Sequence, residues 1–445
     1  MRHRLAIIPL LICLLADATD GIAQAGIPAA AEDSQAPSVR QEVLLLSHAL
    51  SRVFDNNPEL AVSELEIQAA SARLLQAGVR PNPEFAAMAE NILAMGGLGL
   101  FRYTESTLQI SQRLETGRKR ALRVQAAERE TSVARRMHEV KKSELIAATA
   151  QAFADVLAAQ ERLANQQALN RLAHQSHAIV VERVAAGKVS PVEQTRATVA
   201  LAAAQLEEER QQGALLAAKD RLAGLWGGTH LDFDRVQGRF EISSRPQGAA
   251  PSCFDNNPDL QLAAAAVDSR DALLAFEQAS RKPDVTVSAG FRRLSLEEQN
   301  AWMAGISIPL PLFDKRQGAI TEARIRRDKS RSEKKALEWN LRSRLAQARH
   351  EDEIALSETK TLLQTALPAA KEAVSAVEEG YRFGKFDFLN VLDAQRTYAE
   401  LQRRYIEAVA SGLRAAIEID RLAPCDVPVD PASRHEERKE TSHEK

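Results

Sequence analysis

From Arg118 to Ala186 the chain runs for 69 residues without a single Gly or Pro. These are the residues that most strongly break helices. At 1.5 Å per residue, an unbroken helix over this stretch is about 100 Å long. Mean globular helices have about 11 to 12 residues, so a helix of this length has no place in an ordinary domain. It must lie against other long helices. Ile146, Ala150, Phe153 and Leu157 supply a 4-3-4 seam for that purpose. Only 4% of the chain is aromatic and alanine is abundant, a composition that suits closely packed helices.

The chain is also written twice. Phe54-Asp55-Asn56-Asn57-Pro58-Glu59-Leu60 recurs as Phe254-Asp255-Asn256-Asn257-Pro258-Asp259-Leu260, and Gly187-Lys188 recurs as Gly384-Lys385. Arg118-Lys119 is matched in this reading to Lys315-Arg316. The first repeat spans 41–227 and the second 254–423, with a Gly-, Pro- and Ser-containing connector over 228–253. Each opens on an Asn N-cap with Pro at the first helical position. Strand-like alternation follows, at about 83–93 and 105–114 and again at about 284–293 and 301–310. Long helices are predicted over about 118–186 and 319–379, the second interrupted only by Pro368. Each turns at a glycine, Gly187 or Gly384. The return helices start at Ser190-Pro191-Val192-Glu193, read as a capping box, and at the N-cap Asp387. The order is helix, strand, strand, long helix, turn, helix, twice over: mainly α with a small β part.

Residues 1–25 read as a signal peptide. Arg2 and Arg4 precede an apolar run from Leu5 to Ala16, and Ala23-Gln24-Ala25 offers a small-x-small cleavage site. Residues 26–40 read as a flexible leader and 424–445 as a charged flexible tail, with His435 and His443 solvated within it. Lys+Arg is 58 against Asp+Glu 60, which argues against nucleic-acid binding through bulk positive charge. There is no CxxC and no HExxH, so no metal site of usual spacing and no cofactor is expected. No nucleophile–base or paired-carboxylate arrangement stands out, and an enzyme is not expected.

The strand segments have about the length that crosses a bilayer at a tilt. Four strands cannot close a barrel, and an open sheet edge in lipid leaves backbone groups unpaired. Other copies of the chain must complete the sheet, with the helices continuing below it as a tube.

The sequence resembles the TolC family of outer membrane efflux proteins. The duplicated Asn-Pro-Glu/Asp-Leu starts carry the resemblance, together with Arg80-Pro81-Asn82-Pro83-Glu84 and Gln109-Ile110-Ser111-Gln112 running into Thr116-Gly117-Arg118-Lys119-Arg120. Phe383-Gly384-Lys385-Phe386-Asp387-Phe388-Leu389-Asn390-Val391-Leu392-Asp393-Ala394-Gln395 completes it. It covers about 41–423 and is most similar to the branch serving cobalt–zinc–cadmium exporters. The resemblance implies a homotrimer with a twelve-stranded barrel in outer membrane lipid and a helical tunnel in the periplasm. It further implies a passive exit duct joined through a periplasmic adaptor (membrane fusion) protein to an inner membrane RND pump. The alternative is a duct of the same fold for drug efflux or type I protein secretion.

By the same resemblance, Gly187, Lys188 and Ser190 and Gly384, Lys385 and Asp387 are adaptor-contact turns. Plain helix termination explains the same residues and is compatible with contact. The matching periplasmic gate positions are Asn390 and Asp393, and Asn390 departs from the acidic residue of some members. A solvated helix carboxylate is the other reading of Asp393. Cys253 and Cys425 flank the second repeat and are candidates for a disulfide in an oxidising compartment. Two unpaired thiols are the alternative.

Overall fold

A computed structural model describes residues 43–92, 104–228, 232–242, 251–294 and 298–424. The signal peptide, the leader and the tail beyond Pro424 lie outside the described residues.

The chain opens with strand β1 (Val43–Leu44), helix α1 (Leu46–Asn56) and helix α2 (Pro58–Gly78). Strands β2 (Glu84–Glu90) and β3 (Glu105–Leu114) follow, then helices α3 (Lys119–Ala185) and α4 (Pro191–Gly224). Strand β4 (Arg235–Val236) pairs with β1 in parallel and ties the connector to the start of the first repeat. The second repeat contains α5 (Pro251–Asp255), α6 (Pro258–Ala279), β5 (Val285–Leu294) and β6 (Gln299–Ser307). It continues with α7 (Gln317–Thr361), a π-helical turn (Leu362–Ala366), α8 (Leu367–Arg382) and α9 (Phe388–Leu422). Among the described residues no helix is long and apolar enough to cross a membrane.

Helix α3 has 67 residues, about 100 Å of helix. It packs on α2, α4, α6 and α9, while α7 packs on α6 and α9. The second long helix is not one smooth α-helix. Pro368 has no N–H for the residue four before it, and the chain widens into the π turn immediately upstream, keeping Leu362 buried.

The Asn-Pro starts do more than cap. Asn57 Oδ1 accepts from Glu59 N at 2.8 Å, while its Nδ2 donates to Leu225 O at 2.8 Å. Asn257 repeats this: Oδ1 accepts from Leu260 N at 3.1 Å and Nδ2 donates to Leu422 O at 3.0 Å. One amide satisfies an orphan N–H at the start of a helix and a carbonyl at the end of the returning one. Around these locks lie the two main cores. Leu44, Val53, Phe153, Val156, Leu222 and Trp226 form one. Phe254, Leu260, Leu341, Leu345 and Leu422 form the other.

The sheet order is β2-β3-β5-β6, antiparallel throughout. Register separates its faces. Phe85 pairs with Ile110, Ile110 with Ala289 and Ala289 with Ala304, so these side chains share one face. Leu108, Phe291 and Trp302 lie on the same face in the next row but one. Trp302 and Ile306 are 87% and 72% exposed there. The other face carries Glu90, Glu105, Thr107, Gln109, Ser111, Ser288 and Arg292. Arg292 reaches Glu105 Oε2 and Thr107 Oγ1, each at 3.1 Å, which allows Thr107 to be buried on that polar face. A dry outer face and a hydrogen-bonded inner one are what a barrel wall in lipid needs.

β6 ends at Ser307, short of the Leu310 read from its alternation. The corner matching is also corrected. Arg118 and Arg316 both adopt left-handed conformations, with φ of 62° and 56°, and each immediately precedes its long helix. Arg118 therefore corresponds to Arg316, not to Lys315. At the first corner, buried Lys119 reaches Asp284 at 2.6 Å and Thr116 N donates to the same oxygen at 3.2 Å. The corner of the first repeat is thus fastened to the first strand of the second.

Candidate functional site: the hairpin tips and the barrel wall

Both long helical hairpins turn on a glycine with positive φ, 69° at Gly187 and 75° at Gly384. No atom lies within 4 Å of a Cβ built on Gly187, so conformation and not crowding demands glycine there. Gly187 N donates to Val184 O and Lys188 N to Arg183 O, both at 2.9 Å. Gly384 N donates to Tyr381 O at 3.0 Å and Lys385 N to Gly380 O at 2.8 Å. These are two Schellman closures. They leave Lys188 and Lys385 exposed at the ends of the hairpins, with Phe383 and Phe386 beside Lys385.

The start of α4 departs from the capping box. Ser190 Oγ accepts from Val192 N at 3.3 Å, but the Glu193 carboxylate does not reach back to the cap. It accepts the Tyr381 hydroxyl at 2.9 Å, joining the first hairpin to the second. The Arg183 guanidinium stacks 4.4 Å from the Tyr381 ring centroid, and Tyr381 also packs on Phe388. Val180, Ala197 and Val391 complete this small core. Burial, then the bond to Glu193, pushes the Tyr381 hydroxyl well above its ordinary pKa, so it stays a donor. One turn further along, Gln395 Nε2 bridges Ser176 Oγ at 2.7 Å and Glu378 Oε1 at 2.9 Å. Sequence reasoning missed Tyr381, Arg183, Gln395 and Ser176, and assigned Glu193 to the cap alone. One signal was present: Tyr381 is one of only four tyrosines and stands three residues before the turn glycine.

Asp387 caps α9, with Oδ1 accepting from Asn390 N at 3.0 Å and from Asn390 Nδ2 at 2.6 Å. Asn390 is thereby engaged in the cap. Asp393, one turn later, is exposed and makes no hydrogen bond or ion pair among the described residues. Cys253 is disulfide-bonded, and Cys425 lies outside the described residues. No group of three or more metal-ligating side chains occurs among the described residues.

Farther up the bundle, Arg162 meets Glu407 at 2.7 Å and Arg414 meets Asp155 at 3.1 Å, linking α3 to α9. Burial disfavours ionised Glu407, but Arg162 and Arg414 outweigh it and hold its carboxyl below the ordinary range.

The two-faced sheet continues into helices of this length, whose two hairpins are joined beside their turns by the Tyr381–Glu193 bond. The family model described as "Outer membrane efflux protein" matches residues 49–228 and 251–423. The chain is 34% identical over 384 residues to the cobalt-zinc-cadmium resistance protein CzcC of Cupriavidus metallidurans, covering 85% of this chain and 90% of that one. It is 26% identical over 291 residues to the nickel-cobalt-cadmium resistance protein NccC of Alcaligenes xylosoxydans xylosoxydans, covering 65% and 66%. Among solved structures, the fold matches CusC with a TM-score of 0.74 at 17% identity, over 85% of this chain and 91% of that one. It matches the outer membrane protein VceC of Vibrio cholerae with a TM-score of 0.72 at 19% identity, over 85% and 95%. The chain belongs to the outer membrane efflux protein family, with its sheet in the outer membrane and its helices in the periplasm.

Proposed function

We propose that this chain is the exit duct of a heavy-metal efflux system, conducting metal cations as a homotrimer docked to a periplasmic adaptor and an inner membrane RND pump. The observation that carries the metal assignment is the 34% identity, over most of both chains, to a protein named for cobalt, zinc and cadmium resistance. The duct reading rests on the sheet, where the rows Phe85–Ile110–Ala289–Ala304 and Ala87–Leu108–Phe291–Trp302 are apolar across all four strands, while Glu90, Glu105, Gln109, Ser111, Ser288 and Arg292 gather on the opposite face. A closed barrel needs more than four strands, and three copies supply twelve. The exposed turns at Lys188 and Lys385 offer cationic tips for the adaptor, with Gly187, Ser190, Gly384 and Asp387 shaping them. Asp393, which has no hydrogen bond or ion pair among the described residues, supplies the acidic ring at the proposed closed end, where three carboxylates favour cations. Asn390 supports Asp387 instead.

Deletion and complementation in the native host test this reading. Loss of the chain should lower tolerance to cobalt, zinc and cadmium, and the intact chain should restore it. Unchanged metal tolerance with increased sensitivity to organic drugs would overturn the metal assignment and leave the duct.

A further inference from the structure

The four segments that join the sheet to the helices carry an unbalanced charge. Register sets the start of β2 beside the end of β3, the end of β3 beside the start of β5, and that start beside the end of β6, so all four lie at one end of the sheet. The stretches 80–84, 113–123, 281–284 and 313–316 hold ten Lys and Arg against four Asp and Glu, in a chain whose totals are 58 and 60. At the other end, among the described residues, Glu90, Glu105 and Glu298 offset Arg292 and Arg293. The surplus belongs to the helix side.

Three of the four carboxylates there are already engaged. Arg123 holds Glu115, Lys119 holds Asp284 at 2.6 Å, and Asp314 Oδ1 accepts from Arg316 N at 2.7 Å. In contrast, the side chains of Arg80, Arg118, Arg281, Lys282 and Lys315 are exposed and make no hydrogen bond or ion pair among the described residues. Two of these are held in place by the corner itself. Arg118 takes a left-handed conformation that costs an L-residue energy, yet its side chain caps nothing. The stem of Lys282 lies over Gly117, where a Cβ would come within 2.6 Å of Lys282 Cδ, and the residue remains exposed.

Exposed apolar side chains sit beside these cations. Phe313, 91% exposed, stands two residues before Lys315, while Phe85 and Leu114 end the apolar face of the sheet. With the sheet in the outer membrane and the helices in the periplasm, this level is where hydrocarbon gives way to headgroups.

We propose that the sheet–helix junction binds anionic phospholipid headgroups of the periplasmic leaflet. The five unpaired cations contact the lipid phosphates, and Phe313 enters the acyl region beside them. Charge attraction to the leaflet then fixes the depth at which the sheet sits.

Native mass spectrometry of the detergent-solubilised full chain tests this, with phosphatidylglycerol and phosphatidylethanolamine of identical acyl chains as probes. The native protein should retain phosphatidylglycerol in preference, and added salt should weaken that preference. Each cation near an anionic surface contributes about fivefold, so Arg80→Gln/Arg281→Gln/Lys282→Gln/Lys315→Gln should bind phosphatidylglycerol about tenfold or more weakly than the native protein. Arg171→Gln/Arg196→Gln/Lys360→Gln/Lys371→Gln removes the same charge from exposed positions of α3, α4, α7 and α8 and should bind as the native protein does. Equal retention of the two lipids by the native protein overturns the proposal, and that result needs no variant to assemble. Equal weakening in both variants overturns it as well. Inorganic phosphate at the lipid's concentration should not displace the lipid; displacement would assign the surface to a small anion instead. Unchanged lipid binding in the junction variant, with lost binding to isolated cell-wall sacculi, would overturn the lipid and assign the surface to that carboxylate mesh.

Discussion

The Tyr381 hydroxyl donates to the Glu193 carboxylate across 188 positions of sequence, at 2.9 Å, and so fastens the second hairpin to the first beside both turns. Around it Arg183 covers the ring, and Phe388 and Val391 exclude water from one side. A hydrogen bond to a charged group contributes about 1.5 to 3 kcal/mol. In the proposed trimer, three such clamps would surround the axis and restrain the proposed gate without sealing it permanently.

Tyr381→Phe keeps the packing on Arg183 and Phe388 and deletes only this bond. The variant should show longer or larger open events in planar bilayers than the native protein, with unchanged amounts in the outer membrane. Glu193→Gln, which keeps an acceptor, should show a smaller rise. Equal conductance for all three proteins would assign the bond to packing alone.

Asn257 is fully buried and serves two helix ends at once, whereas Asn57 is only partly buried. Losing a cap costs about 1 kcal/mol, and a stranded buried carbonyl adds about 1 to 3 kcal/mol. Asn257→Ala should therefore destabilise the protein by about 2 to 4 kcal/mol, and Asn57→Ala by less. Denaturation of the two variants side by side checks the order.

Much of the fold was legible because its signals are local. Gly187 and Gly384 mark turns that need positive φ, and the repeated Asn-Pro announces helix starts. The uninterrupted run before Gly187 forces a long helix. The clamp was not legible, because Ser190 and Glu193 fit a local capping pattern equally well, and only the fold shows Tyr381 competing for the carboxylate. The engagement of Asn390 was equally hidden: the motif marks its position, while only the fold shows its amide bonded to Asp387. The end of β6 was misread because alternation continues to Leu310, whereas the ladder depends on a neighbouring strand. The π turn reflects how Pro368 is absorbed, which periodicity does not encode.

Cys253 is disulfide-bonded, and Cys425 is the partner we propose. Closing a loop of this length contributes about 5 kcal/mol in the chain-entropy model. Peptide mapping of protein alkylated before digestion should recover a linked Cys253–Cys425 peptide that reduction separates. Recovery of Cys425 with the alkyl label would sink the pairing.

Glu407 should make stability pH-dependent. Its folded pKa lies below the ordinary value of 4.5, so the stabilisation is present above that value and is lost as pH falls through the folded one. Melting temperature should drop on acidification below about pH 4.5, and Glu407→Gln should flatten part of that drop. A variant as acid-sensitive as the native protein would place the dependence elsewhere.

The most direct test of a passive, acid-lined duct is the single-channel current of the purified protein in planar bilayers, measured in a salt gradient. The native protein should conduct with a preference for cations, and Asp393→Ala should conduct more or lose that preference. Absence of any conductance from correctly assembled native and Asp393→Ala protein would contradict the duct itself.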